Sequence, residues 1–322
     1  MRLALVGDIG GTNARFALWR DSRLESVRVL AAADFATPEM AVEYYLASLG
    51  LAPGSVEAAC LACAGPVKGE QFTFTNNHWR LTRSDFCGAL QMDELLLIND
   101  FAAMALGMTR VGEAGRRMIC AGEAEPDAPA LVIGPGTGLG VSALVPAGGD
   151  YLPLEGEGGH VCLSLQGDAE MTLFDALRRE VPHVSAEHFI SGGGLETIYR
   201  LQNDGAAMFA PDIGAAAIAG PGAERDAANM MLGLLGSAVA DAVLTMGCWR
   251  GVVIAGGIVA QLQPLLSDSP FQARFRHKGL MAPLLNKVPV WLSFDPHAGL
   301  RGAAAGFTNP HMASRIIQRG QL

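Results

Sequence analysis

Asn99 and Asp100 end the short apolar run ELLLI, immediately before a stretch that reads as a helix, FAAMALGM. Ligands bind at strand ends in open α/β sheets, so a carboxylate there has two readings. It can cap the helix, or it can be a general base that takes the proton of an alcohol attacking a γ-phosphate, with Asn99 orienting the same substrate; the roles are compatible. A second polar cluster lies in GEGGH, where Glu157 and His160 stand among glycines that let a ligand approach the backbone. Glu187 follows Ser185 in the first turn of an expected helix, where the helix dipole favours a carboxylate whatever its function. Asn76 sits in the middle of a polar, hairpin-like excursion. Together, Asn99, Asp100, Glu157, His160 and Glu187 form an acceptor-rich set suited to the hydroxyls of a neutral polyol.

Two glycine turns complete the chemistry. The first hairpin, LALVGDIGGTNARFALW from Leu3 to Trp19, carries Asp8, Gly10, Gly11, Thr12 and Asn13 at its turn, and ALVIGPGTGLGVSALV from Ala130 to Val145 repeats the order with one residue of slip. Such turns bring backbone N–H groups to phosphate oxygens without a side-chain cation. Two copies, one opening each half of the chain, are expected to clamp a nucleoside triphosphate. Thr12 and Thr137, with the N–H groups around Gly10, Gly11, Gly136 and Gly138, would hold the phosphates; Pro135 has no N–H to give. Asp8 is placed to hold Mg²⁺, directly or through water. For base and ribose the candidates are two further glycine clusters, Ser191 to Gly194 with Gly193 and Ala255 to Ile258 with Gly256 and Gly257.

The elements that must position these groups are legible as hydrophobic patterns. After the hairpin come a third strand, ESVRVL, a helix over PEMAVEYYLASLG, a strand CLACAG, a helix SDFCGAL, the strand ending at Asp100 and its helix. The second half is expected to hold helices over AEMTLFDALRREV and SAEHFI, a helix after SGGG, a connection or short helix over 204–222, a core helix from Glu224 to about Gly247, strands WRGVVIAGG and VPVWLSF, and a final helix from GLRGAAAGF. This is an α/β architecture in two related halves.

Composition sets the outer bounds. The chain has 322 residues, half hydrophobic and 17% charged, enough for two domains with a substantial core. A net charge of −9 argues against nucleic acid, whose phosphates demand Lys and Arg clusters. The only lysines, Lys68, Lys278 and Lys287, lie outside the glycine turns, so a P-loop is excluded. The six cysteines show no framework of spacings and no zinc pattern, and Cys60 and Cys63 read as small hydrophobes of a buried strand. The most membrane-like stretch, Ala227 to Ala240, is too short between Asp226 and Asp241 to span a bilayer and reads as a core helix. A cytoplasmic protein with reduced thiols is expected.

GDIGGTNAR, LINDF, GPGTGLG, LEGEGGH, HVSAEHFISG and VVIAGGIV, in this order, make the chain resemble the bacterial glucokinase family of the hexokinase, Hsp70 and actin superfamily, from Leu3 to about Phe307. The resemblance implies an actin-like ATPase (ribonuclease H-like) fold of two α/β domains with a cleft between them. It places 1–109 plus 300–322 in a small domain and 110–299 in a large one. It implies phosphorylation of glucose at its 6-hydroxyl by Mg·ATP, with Asp100 as the base, Asn99, Glu157, His160 and Glu187 on the sugar, and the turns at Asp8–Thr12 and 134–138 on phosphates. Homodimers are usual in the family. The related ROK proteins carry a cysteine-rich zinc signature that is missing after His160, so no structural zinc is expected. Two alternatives stand beside this reading: a kinase for another hexose, and a non-kinase ATPase resembling actin or Hsp70, which would need no sugar carboxylates.

Overall fold

β1 (Ala4–Ile9) and β2 (Asn13–Arg20) form the opening hairpin, paired antiparallel from Ala4 with Trp19 to Ile9 with Ala14. In the computed structural model, which describes residues 3–75 and 77–319, β3 (Arg23–Ala31) extends the meander. The connecting pair Asp21 and Ser22 has φ of 49° and 62°, the left-handed conformations a two-residue hairpin of native twist requires. α1 (Pro38–Ala47) starts behind Thr37, whose hydroxyl accepts the Met40 N–H, with proline at the first helical position where no donor is lost. β4 (Ala58–Cys63) is buried at all six positions, as a strand covered on both faces must be. A ribbon of β5 (Gln71–Thr73) and β6 (Arg80–Thr82) leads into α2 (Arg83–Leu90), β7 (Glu94–Asn99) and α3 (Asp100–Met108).

The chain continues through β8 (Arg116–Cys120), β9 (Ala130–Pro135), β10 (Leu139–Ala147), β11 (Asp150–Leu154) and α4 (Asp168–Leu177). The helix expected over SAEHFI is a single 3-10 turn, Ala186–His188. A capping box of Ser185 and His188 holds this turn, and Ser191, directly after the stretch, caps the next helix. That helix is α5 (Gly192–Gln202); α6 (Ala210–Ala219) makes the stretch read as a connection or short helix a helix, and α7 (Ala223–Met246) ends at Gly247 in the left-handed cap conformation, φ 65°. α7 is long and apolar enough to cross a membrane, but its apolar residues are mostly buried in the core. A Cβ on its Gly236 would overlap the Phe271 carbonyl. Then follow β12 (Gly251–Ile254), α8 (Gly257–Gln261), α9 (Phe271–Arg276), α10 (Ala282–Leu285), β13 (Val290–Ser293), α11 (Ala298–Thr308) and β14 (Ile317–Gln318).

Two six-stranded sheets result, ordered β14-β7-β4-β1-β2-β3 and β11-β10-β9-β12-β13-β8. In the first, β1, β4 and β7 run parallel and in register, with Ile9 beside Cys63 and Cys63 beside Asn99. In the second, β9, β12 and β13 are parallel. The residues divide into two units, one of Met1–Val111, Leu144–Glu155 and Asp295–Leu322, the other of Gly112–Ala143 and Gly156–Phe294. The sequence reading put all of 110–299 in one domain; Leu144–Glu155 instead goes with the first unit. Its ties are to the C-terminal segment: Asn309 Nδ2 donates to the Tyr151 carbonyl at 2.8 Å, and Arg315 pairs with Glu155.

α3 and α11 are packed backbone to backbone in the first unit. Cβ atoms on Gly107 and Gly302 would overlap the carbonyls of Ala298 and Ala103 respectively, so glycine is required at both positions by closeness of approach.

Candidate active site

In the first unit the carboxyl ends of three parallel strands bring Asp8, Asn99 and Asp100 to one sheet edge. Cys63 lies between them; burial first, then Cys60, Asp100 and Asp8, push its thiol well above the ordinary range, with Arg83 opposing. It is a neutral, buried strand residue, as is Cys60. Asn99, 4% exposed, caps α3. Its Oδ1 accepts the N–H groups of Phe101 and Ala102 at 3.0 Å each, and its Nδ2 donates to the Gly65 carbonyl at 3.3 Å. Capping therefore falls to Asn99, not to the carboxylate beside it. Asp100 becomes the first helical residue, half-buried, its Oδ1 accepting the Phe101 N–H at 2.9 Å, where the helix N-terminus favours a negative charge.

Asp8 lies on β1 opposite Arg15, whose Nη1 is 3.5 Å from Oδ2. Burial raises the Asp8 pKa and Arg15 lowers it, with burial the larger effect. The second residue of α11 packs on this carboxylate: a Cβ on Gly299 would lie 2.8 Å from Oδ2. The turn that follows is closed by the Gly10 N–H donating to the Asn13 carbonyl at 3.0 Å, with Thr12 and Asn13 exposed. Gly10 needs no left-handed backbone, so freedom of approach, rather than conformation, is what it supplies. Asn76, expected at the sugar, lies outside the described residues. Its neighbour Asn77 donates Nδ2 to the Gly10 carbonyl at 3.1 Å and accepts the Trp79 N–H, which secures the turn. Asn77 was noted only as a polar residue of the hairpin-like excursion and Gly299 escaped the sequence reading; both act through contacts with residues far along the chain.

In the second unit the 134–138 turn is gripped from several sides. Gly136 N–H donates to the Gly138 carbonyl at 2.7 Å, and Gly192 N–H donates to the Gly136 carbonyl at 2.8 Å. Thr137 is exposed at the tip. Gly256, with φ of 139°, fits against Pro135 so tightly that a Cβ would overlap its carbonyl, and α8 begins at Gly257. Both glycine clusters proposed for base and ribose thus reach this turn. Beside Gly193, which is open around its Cα, lies a pocket of about 270 Å³ between α5 and the segment Ala207–Phe209, with Glu196 and Arg200 on its wall.

Glu157 and His160 are both exposed, on either side of Gly158 and Gly159. Those glycines are required for packing: Cβ atoms there would meet Val141 and overlap the Leu139 carbonyl. The 3-10 turn 158–160 is tied to the second one, 186–188, by a hydrogen bond between His183 Nε2 and the His160 carbonyl, 3.1 Å, and by Ala186 N–H to the Val161 carbonyl, 2.9 Å. Glu187 is half-buried, and its Oε2 accepts the Leu139 N–H at 2.8 Å. The second unit therefore gathers Glu157, His160 and Glu187 next to the 134–138 turn.

No three or more His, Cys, Asp or Glu side chains converge on a metal site among the described residues. Asp8 offers one carboxylate at a turn rich in backbone donors and free of lysine, with Arg15 the cation beside it. That suits Mg²⁺, which keeps its waters and binds through one or two carboxylates plus substrate phosphates.

Comparison with known proteins agrees with the fold and places the chain. A family model described as Glucokinase matches residues 5–310. A glucokinase of Pseudomonas aeruginosa (strain UCBPP-PA14) is 45% identical over 311 residues, covering 94% of this chain and 93% of that one. Among solved structures, glucokinase from an Antarctic psychrotroph superposes with a TM-score of 0.81 at 35% identity, over 95% of this chain and 98% of that one. A Balamuthia mandrillaris glucokinase in complex with glucose (TM-score 0.80, 22% identity, 94% and 93% covered) and a ROK family glucokinase from Streptomyces griseus in complex with glucose and AMPPNP (0.64, 20%, 94% and 98%) share the fold. That fold is the actin-like ATPase fold.

Proposed function

The chain belongs to the glucokinase family and phosphorylates glucose with ATP, and on that premise we propose which of its residues carry the reaction. Asp100 is the general base, taking the proton of the glucose 6-hydroxyl as that oxygen attacks the γ-phosphate. The observation that carries this is the division of labour at the α3 N-terminus, where Asn99 supplies the cap and Asp100 stands beside it at the sheet edge. In-line transfer needs little covalent help from protein, so positioning and charge stabilisation are the remaining tasks.

In the first unit, Asn99 and Asn76 are assigned to the sugar, and the Asp8–Asn13 turn to phosphate oxygens through Gly10, Gly11 and Thr12. In the second, Glu157, His160 and Glu187 receive sugar hydroxyls, and Gly136, Thr137 and Gly138 receive phosphate. Exposed carboxylate and imidazole groups on a rigid, glycine-packed turn suit a polyol that arrives from water. The pocket beside Gly193 supports the Ser191–Gly194 cluster as the one that borders the nucleotide base, with Gly256 and Gly257 bracing the turn from below Pro135. Asp8 would hold Mg²⁺. Bound with the triphosphate, that ion would supply positive charge at these lysine-free turns, beyond the single Arg15 beside Asp8. A cytoplasmic homodimer, implied by the family resemblance, completes the proposal; light scattering of the purified protein reads the second half of it.

The test is sugar-dependent ADP release. Asp100→Asn is expected to cut kcat by roughly 10² or more while glucose affinity stays within about tenfold, the signature of a lost base. Unchanged turnover would remove Asp100 from the role. Across a panel of hexoses, strict dependence on glucose separates the reading from a kinase of another sugar, and sugar-independent hydrolysis would point to an ATPase switch.

A further inference from the structure

Leu139 is where three segments of the second unit meet. Its N–H is held by Glu187 Oε2 at 2.8 Å, its carbonyl is covered by Gly159 of the Glu157–His160 turn, and it directly follows the Gly136–Gly138 turn. Gly138 has an ordinary φ, so its glycine is not demanded by backbone conformation. It faces Glu187 instead: a Cβ on Gly138 would meet Oε2, so an alanine there would push the carboxylate aside. The same segment holds the turn a second time, because Ser191 Oγ donates to the Glu187 carbonyl at 2.8 Å and the next residue, Gly192, gives its N–H to Gly136.

We propose that Glu187 is a positioning residue for the phosphate turn as well as a sugar ligand, so that sugar and nucleotide binding are coupled through this one carboxylate. A side chain serving sugar alone would keep both oxygens for hydroxyls. Here one oxygen is committed to the backbone of the turn, and any shift of the carboxylate on sugar binding moves the Leu139 N–H and with it Gly138. Linkage makes the effect reciprocal: what the turn does to the carboxylate, the carboxylate does to the turn. The inference rests on the reading of Glu187 as a sugar ligand and of Gly136–Gly138 as a phosphate turn.

Calorimetric titration of the full chain with glucose alone, and with a magnesium complex of a non-hydrolysable ATP analogue alone, decides it. Glu187→Ala is expected to weaken the analogue about tenfold in the absence of any sugar, the scale of a charge-assisted hydrogen bond. Glu187→Gln retains an acceptor for Leu139 and is expected to restore analogue affinity to within about twofold while glucose stays weak. Gly138→Ala, in the nucleotide turn, is expected to weaken glucose in the absence of nucleotide, and it carries the test if the alanine variant at 187 fails to fold. Weak glucose binding with unchanged analogue affinity in Glu187→Ala would make Glu187 a sugar ligand only and overturn the coupling. Unchanged glucose binding in that variant would instead remove Glu187 from the sugar. Unchanged glucose binding in Gly138→Ala would overturn the coupling from the other side.

Discussion

Asp8 is held where its charge is costly. Burial raises its pKa in the folded chain and Arg15 offsets only part of that. An acid whose folded pKa lies above its unfolded one binds protons more tightly in the native state, so the ionised form costs stability at neutral pH and the cost fades as pH falls through the folded value toward 3.8. Asp8→Asn should therefore raise the urea midpoint at pH 7, a gain that shrinks to nothing near pH 4 and below. With Asp8 as the proposed Mg²⁺ ligand, the same variant should lower kcat/KM for Mg·ATP by about 10² or more. A variant that lost stability at pH 7 would show the carboxylate to be structural. Part of this residue-level picture was legible beforehand, because a carboxylate in a glycine turn without a lysine draws attention in the sequence; the Mg²⁺ role read from it is a proposal. What was not legible is the packing of Gly299 on Asp8, since no local pattern links the two. In LINDF the carboxylate was read as the possible cap of α3, and the hydrogen bonds of Asn99 show that the residue before it does the capping.

At the scale of elements, the crossing of α3 and α11 sets where the two carboxylates of the first unit stand. α3 begins with Asp100, and α11 lays Gly299 on Asp8. Their approach is fixed at Gly107 and Gly302, where backbone meets backbone. Gly302→Ala has no route to relief, because the Cβ would overlap the Ala103 carbonyl and not a flexible side chain. It should cost about 3 kcal/mol in denaturant unfolding, at the upper end of overpacking, and should lower turnover in the fraction that folds. Gly112→Ala is the control. Its Cβ would meet nothing within 4 Å, its φ is −70°, and the change should be neutral or stabilising by up to about 1 kcal/mol. Equal effects of the two substitutions would refute the account. GLRGAAAGF was readable as a helix from its composition. That its small residues mark a helix crossing became visible only with its partner, α3, in place. The SAEHFI segment shows the opposite failure: expected as a helix, its six residues make one 3-10 turn, with Ser191 directly after them capping α5.

At the scale of the whole chain, the repeat seen in sequence corresponds to β1–β2 and β9–β10, each a strand, a glycine turn and a returning strand beside parallel neighbours. The similarity ends where the second copy does. β10 runs on past Ala143, and Leu144–Glu155 is held in the first unit by side chains from the other end of the sequence, a connection that no window of neighbouring residues could reveal. Asn309 is the strongest of these. It is 4% exposed, its Oδ1 accepts the His311 N–H at 2.9 Å, and its Nδ2 reaches the Tyr151 carbonyl, while His311 Nε2 bonds the Ala147 carbonyl at 3.0 Å. The Arg315–Glu155 pair nearby is about 30% exposed on both sides and contributes less. Asn309→Ala would leave the carbonyl of half-buried Tyr151 without this donor and open space where a buried side chain sat, and a loss of about 1–3 kcal/mol is expected. The loss should be local before it is global. In native-state hydrogen exchange, amides of β11 should lose protection first, with those of β12 in the second unit unchanged under conditions that favour the fold. If β12 amides exchanged in step with β11, the Leu144–Glu155 segment would be part of one cooperative body with the second unit, and its assignment to the first would fall.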